Sequence, residues 1–185
     1  MKVVVITAGH SNTDSGAVTT DSNGKLIKES DLAVKFRNAV TTYLKANHIV
    51  VLNDGVGTDN KDLKYAISLI KGSTLAIEFH MNASTNNKAV GVETISLPKD
   101  KSLSQKLSQA IATVLNTKVR GEQGWIDQSL SARGKLGYVN NGGLIVELGF
   151  ISNATELSTF NSSYWLAAKK VSEIIIEHLK QEEKK

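Results

Sequence analysis

Short runs at 3–7, 49–52, 75–80, 90–96 and 144–148, rich in Val, Ile and Leu and bounded by Gly, Asn, Asp or Lys, alternate with segments of helical periodicity. Runs this short and this apolar are strands buried on both sides. Leu32, Phe36, Val40, Tyr43 and Leu44 follow Ser30 at helical spacing, and Leu63, Ala66, Ile67 and Ile70 form a second stripe that ends at Gly72. A third helix carries Leu103, Leu107, Ala110, Ile111, Val114 and Leu115, and the last runs from about residue 163 to 180 with Ala167, Val171, Ile174, Ile175 and Leu179 on one side. Strands alternating with helices predict an α/β three-layer sandwich, a mostly parallel sheet with helices on both faces. The 185 residues, 41% of them hydrophobic, suffice for one buried domain, and neither a proline-rich nor a low-complexity stretch marks a linker to a second. The domain is expected to span 1–180, with 181–185 a charged tail.

In such sheets ligands gather beyond the carboxyl ends of the strands. His10 ends the first run and His80 the third, Glu147 follows Gly143-Leu144-Ile145-Val146, and Glu29 opens the first helix. Two imidazoles and a carboxylate can hold zinc and leave a fourth position for a water, which the other carboxylate deprotonates. The chain has no cysteine, so a zinc site here must use His, Asp or Glu. Taken singly, most of these residues have a plainer reading. A histidine after a strand caps or packs, and a glutamate opening a helix is a solvated carboxylate favoured by the dipole. Glu147 differs, because a charge inside the apolar run 144–150 is costly without a purpose.

Several segments together resemble a known family. They are Thr7-Ala8-Gly9-His10 with Asp14-Ser15-Gly16-Ala17 after it, Glu29 ahead of a helix, Ile77-Glu78-Phe79-His80-Met81-Asn82-Ala83, and Val146-Glu147-Leu148-Gly149-Phe150-Ile151-Ser152-Asn153. In that order, and over nearly the whole chain, they resemble the zinc-dependent N-acetylmuramoyl-L-alanine amidases of the Amidase_3 type. Gly91-Val92-Glu93-Thr94 and Ser131-Ala132-Arg133-Gly134 are supporting matches. The resemblance implies a sheet of about six strands and a hydrolase that cuts the amide between the lactyl group of N-acetylmuramic acid and L-alanine of the stem peptide. It further implies one Zn2+ held by His10, Glu29 and His80, with Glu147 as the catalytic carboxylate. Two departures stand out. Relatives usually carry a serine where this chain has Glu78, which on a strand shares a face with His80; it would either hydrogen-bond the imidazole or turn away into an ion pair. The arginine that often follows the second strand is missing from Asn53-Asp54-Gly55-Val56-Gly57.

The stretch from Asn116 to Leu136 is poor in apolar residues and reads as a long loop. Within it, Trp125 would stack on a sugar or line a peptide groove, or else anchor the loop to the core. Arg133 would meet a substrate carboxylate as a bidentate pair, or hold the loop through an ion pair. Asn82 is a further candidate substrate contact. The run Asn153-Ala154-Thr155-Glu156 reads as a helix capping box, and His48 and His178 read as structural or surface residues.

Rival readings are a zinc peptidase or carboxypeptidase on cell-wall or other peptides, a glycan-cleaving enzyme using Glu29 and Glu147 as a carboxylate pair, and a peptidoglycan-binding module without turnover. The glycosidase reading leaves His10 and His80 without a task. A net charge of +4, with Lys and Arg interspersed among Asp and Glu, does not point to nucleic acid. No apolar run approaches the roughly 20 residues that cross a bilayer, and Val3-Val4-Val5-Ile6 is too short for the apolar part of a signal peptide, so none is expected. The expectation is a monomer made in the cytoplasm and acting on peptidoglycan, in the setting of a phage or prophage lysis enzyme that reaches the wall through a membrane lesion made by another protein.

Overall fold

The computed structural model describes residues 2–131 and 134–182. In chain order the strands are β1 (Val3–Ala8), β2 (Val18–Thr20), β3 (Leu26–Lys28), β4 (Val50–Asn53), β5 (Leu75–Asn82), β6 (Glu93–Ser96), β7 (Trp125–Asp127) and β8 (Leu144–Phe150). The helices are α1 (Glu29–Ala46), α2 (Leu63–Ile70), α3 (Lys101–Val114), α4 (Gly137–Asn140) and α5 (Ala154–Glu182). Six strands form the central sheet in the order β4-β1-β5-β8-β6-β7, and β2 and β3 form a separate hairpin. β4, β1, β5 and β8 run parallel; β6 runs against β8, and β7 runs with β6.

Alternation along the strands divides the core in two. Val4, Ile6, Ile77, Phe79, Val146 and Leu148 pack with residues of α1, α3 and α5. Val5, Ala76, Ile95 and Ile145 pack on the opposite face with Ala66 and Ile70 of α2 and Tyr138 and Val139 of α4. The expected three-layer sandwich is therefore what forms, and its strands are apolar on both sides because both sides are covered.

Three expectations need correction. The stretch 116–136 is not a long loop: residues 125–127 pair with β6 as the edge strand β7. Three residues are too few to show a period, and the pairing rests on Gly124, whose carbonyl accepts from Thr94 N–H at 2.8 Å and from Ser108 Oγ–H of α3 at 2.7 Å. The last helix begins at Ala154 rather than near 163. Leu157 and Phe160 reach the core from its first turns, while the polar run around them hides the stripe. The capping box is half formed. Asn153 Oδ1 accepts from Thr155 and Glu156 N–H at 3.1 and 3.0 Å, but the Glu156 carboxylate accepts instead from Gly91 N–H at 2.8 Å and Phe150 N–H at 2.7 Å, tying the helix start to the loop before β6 and to the end of β8.

The connection after β4, which lacks the expected arginine, is held by Arg37 of α1. Its fully buried guanidinium donates to Asp54 Oδ1 at 2.9 Å, Asn60 Oδ1 at 3.2 Å and the Asp59 carbonyl at 3.0 Å. Asp54 and Asn60 in turn grip the end of β1, which makes this connection the foundation of the site above it.

Candidate active site

At the end of β1 the Ala8 N–H donates to Asp54 Oδ2 at 3.0 Å, Gly9 N–H donates to the Phe79 carbonyl at 2.8 Å, and Asn60 Nδ2–H donates to the Gly9 carbonyl at 3.1 Å. So tightly held, the chain tolerates a left-handed conformation at His10, φ +68, uncommon outside glycine and typical of sites where geometry is enforced by the surroundings. Two glycines let the chain close in around the imidazoles. A β-carbon on Gly9 would stand 2.2 Å from His80 Cε1, and one on Gly16, itself at φ +63, would stand 2.4 Å from His10 Nε2 and 2.6 Å from Glu29 Oε2.

The β2–β3 hairpin leads directly into α1, whose first residue is Glu29. The Glu29 carboxylate is 4% exposed, accepts from Ala17 N–H at 2.9 Å and Met81 N–H at 3.1 Å, and lies 3.0 Å from His10 Nε2 and 2.9 Å from His80 Nδ1. One potential ligand atom from each of His10, Glu29 and His80 falls within 4.8 Å of the others. Behind this triangle each imidazole meets a second carboxylate. His10 Nδ1–H donates to Asp14 Oδ2 at 2.9 Å, and His80 Nε2–H donates to Glu78 Oε1 at 3.0 Å. Glu78 is itself buried, its other oxygen 3.4 Å from Thr7 Oγ1, which also donates to Tyr138 Oη at 3.0 Å. Of the two orientations open to Glu78, the structure takes the one facing the imidazole.

The electrostatics of the cluster follow from these contacts. Burial opposes charge on Glu29, yet hydrogen bonds from His10 and His80 outweigh it and hold the carboxyl far below the usual range. Burial likewise opposes protonation of His80, but its bonds to Glu29 and Glu78 raise its pKa well above the ordinary value, and Glu29 and Asp14 raise that of His10. A place that draws protons so strongly has a negative potential that would equally draw a cation. The donor set of two nitrogens and a carboxylate oxygen, with an acceptor behind each ring to fix its tautomer, fits zinc.

Glu147 on β8 is paired with His80 on β5 and with Glu93 on β6, so the three side chains form a row across the sheet. A cavity of about 300 Å³ opens over this row, lined by His80, Asn82, Glu93, Arg120, Ile126 and Glu147. On the other side of the triangle a second hollow of about 380 Å³ is lined by His10, Asp14, Asp62, Leu63 and Tyr138; His80, Leu136 and Ile145 border both. His80 thus stands between two hollows, one on the Glu147 side and one on the His10 side.

Asn82 reaches this cleft and donates from Nδ2 to Glu93 Oε1 at 3.1 Å. Trp125 does not. The residue is 9% exposed on the α3 side of β7, with Nε1–H donating to Ser96 Oγ at 3.0 Å, so it anchors the segment while its neighbour Ile126 lines the cavity. Arg133 lies outside the described residues. His48 sits in the turn between α1 and β4, and His178 lies on α5, both at the opposite end of the sheet. Sequence reasoning gave no role to Asp14, Glu93 or Arg120. An acid four residues after His10 was a usable sign for the first; Glu93 stood in a quoted segment, and Arg120 carried no signal.

The family model for N-acetylmuramoyl-L-alanine amidases, Amidase_3, matches residues 4–177. The chain belongs to this family. No curated protein matches it by sequence. Among solved structures, a protein from Neisseria meningitidis provisionally assigned as an N-acetylmuramoyl-L-alanine amidase shares 38% identity with this amidase, over 97% of this chain and 96% of that one, at a TM-score of 0.86. The catalytic domain of CwlV from Bacillus (Paenibacillus) polymyxa var. colistinus shares 23% identity over 97% and 99% of the chains at 0.75. An amidase from Clostridium difficile 630 shares 20% over 97% of each at 0.79, and these last two attest the fold alone.

Proposed function

We propose that this amidase hydrolyses the bond between N-acetylmuramic acid and L-alanine in peptidoglycan with one zinc ion held by His10, Glu29 and His80, and with Glu147 as general base and acid. The observation that carries the reading is the convergence of three zinc-type donors within 4.8 Å, beside a glutamate on the neighbouring strand. Zinc bound there would activate water and polarise the scissile carbonyl. Glu147 accepts the proton of the attacking water and returns it to the departing alanine nitrogen, work typically worth about 10²–10⁴-fold. Ile95, Ile126 and Ile145 form an apolar stretch of the cavity wall beside Glu147. With zinc bound, His80 and His10 would be held in the tautomer that points a lone pair at the centre, because Glu78 and Asp14 accept the other N–H. Glu29, with its oxygens engaged by two imidazoles and two backbone amides, is poorly placed to serve as one of a glycosidase carboxylate pair.

The test is digestion of purified peptidoglycan with and without a chelator, followed by zinc add-back, with new amino termini and new reducing ends assayed separately. New L-alanine amino termini, lost with chelator and regained with zinc, are expected. Reducing ends alone, or other amino termini, would overturn the assignment.

A further inference from the structure

The cavity beyond Glu147 is closed by a guanidinium that the hydrolytic chemistry does not use. Arg120 lies in the connection between α3 and β7, next to β6 through the Val92–Val119 bridge. Its Nε–H donates to Glu93 Oε2 at 2.6 Å, and its Cζ stands 5.0 Å from the Phe150 ring centroid. An Arg pinned along one edge and laid on an aromatic face keeps its planar fork of Nη–H donors in a fixed orientation. Only a 3.5 Å contact from Nη1 to the Val90 carbonyl engages that fork among the described residues, and the side chain is 38% exposed.

Glu93 is the anchor. One of its oxygens takes Arg120 Nε–H and the other takes Asn82 Nδ2–H, so its charge is spent on holding these two donors at the cavity edge. His80, Glu147 and Glu93 are successive along the row. Strands lie about 4.8 Å apart, so Glu93 is about 10 Å from the row's metal-binding end. An extended peptide advances roughly 3.5 Å per residue. A carboxylate on the residue after the L-alanine therefore comes within hydrogen-bond reach of Arg120 when the scissile amide lies at the triangle.

We propose that Arg120 is a specificity-determining residue that reads a free carboxylate on the residue following L-alanine in the peptide arm, with Glu93 and Asn82 as its mount. The assignment rests on the amidase reading and adds the direction of the substrate: peptide towards Arg120, sugar towards Asp62 and Leu63. A matched pair of probes tests it, N-acetylmuramoyl-L-alanyl-γ-D-glutamyl-L-lysine and the same tripeptide with D-isoglutamine in second place; the γ-carboxyl of that residue is in the peptide bond in both, so they differ there only in α-carboxylate against α-carboxamide. Loss of a charged hydrogen bond to a fixed guanidinium is expected to make kcat/KM about 10–100-fold higher for the acid in the wild-type protein. Arg120→Gln should cleave the two at comparable rates, with Arg120→Lys between.

Equal cleavage of the two probes by the wild-type protein would overturn the assignment, as would a preference for the acid that survives Arg120→Gln. The wild-type comparison decides even if the variant folds poorly. If neither probe nor whole peptidoglycan yields an alanine amine in the presence of zinc, the hydrolase reading falls and this one with it. Cleavage of both probes without preference removes the role of Arg120 alone.

Discussion

Phe79 and His80 are neighbours on β5 and face opposite sides of the sheet. Phe79 is fully buried, its ring 4.8 Å from Phe36 of α1, beneath a face roofed by helices of 18, 14 and 29 residues. His80 faces the other layer, whose helices have only 8 and 4 residues. Long helices bring the apolar cluster of one face to completion. Short ones leave a cleft over the carboxyl ends of β1, β5 and β8, and into it point His80, Glu147 and, from β6, Glu93. The same strands thus serve stability on one side and chemistry on the other, residue by alternate residue.

Paired substitutions across the sheet can break this division. The largest effect is expected at Glu147→Gln, a fall in turnover of about 10²–10⁴-fold with zinc content and melting temperature near those of the parent. Amino-terminus release and metal analysis of the same preparation would check it, and a variant of near-normal rate would remove Glu147 from the chemistry. Phe79→Ala should do the reverse, costing about 3–5 kcal/mol of stability in a denaturant titration. Should that substitution cost less than a substitution in the cleft, the two faces would not be separable in this way.

A finer cut lies within the cleft face itself. Glu78→Gln keeps the shape but weakens the bond behind His80, and zinc affinity measured by competition with a chelating dye should fall about 10–100-fold. Unchanged affinity would make Glu78 a buried carboxylate without influence on the metal. The smallest effect concerns pH. Both imidazoles hold protons above their ordinary 6.5, and zinc must displace them. Zinc affinity should accordingly rise with pH through the ordinary imidazole range and level off only once the raised pKa values are passed. An affinity flat between pH 6 and 8 would contradict this.

How much of this could be read from the chain depends on length and on periodicity. The strands that carry His10, His80 and Glu147 are apolar runs ended by polar residues, and they stand where expected. α1, α2 and α3 show continuous stripes and are equally legible. β7 was not, because three residues carry no period and its partner is set by tertiary packing at Gly124 and Ser108. The early turns of α5 were hidden by a polar outer face. In the site, residues that meet through a strand end or a helix start were readable. Arg37, Asp54 and Asn60 were not, since a buried guanidinium reaching into a loop leaves no local pattern, and Glu93 and Arg120 meet through strand pairing between segments 27 residues apart.

The reversal of β6 has a consequence for how this scaffold can diversify. Because β6 runs against β8, the amino end of β6 meets the cleft, and one continuous stretch, from the end of β5 to the end of β7, supplies Glu93, Arg120 and Ile126 without contributing His10, Glu29, His80 or Glu147. Substitutions at Glu93, Arg120 or Ile126 would redraw the hollow on the Glu147 side while leaving the triangle of His10, Glu29 and His80 untouched.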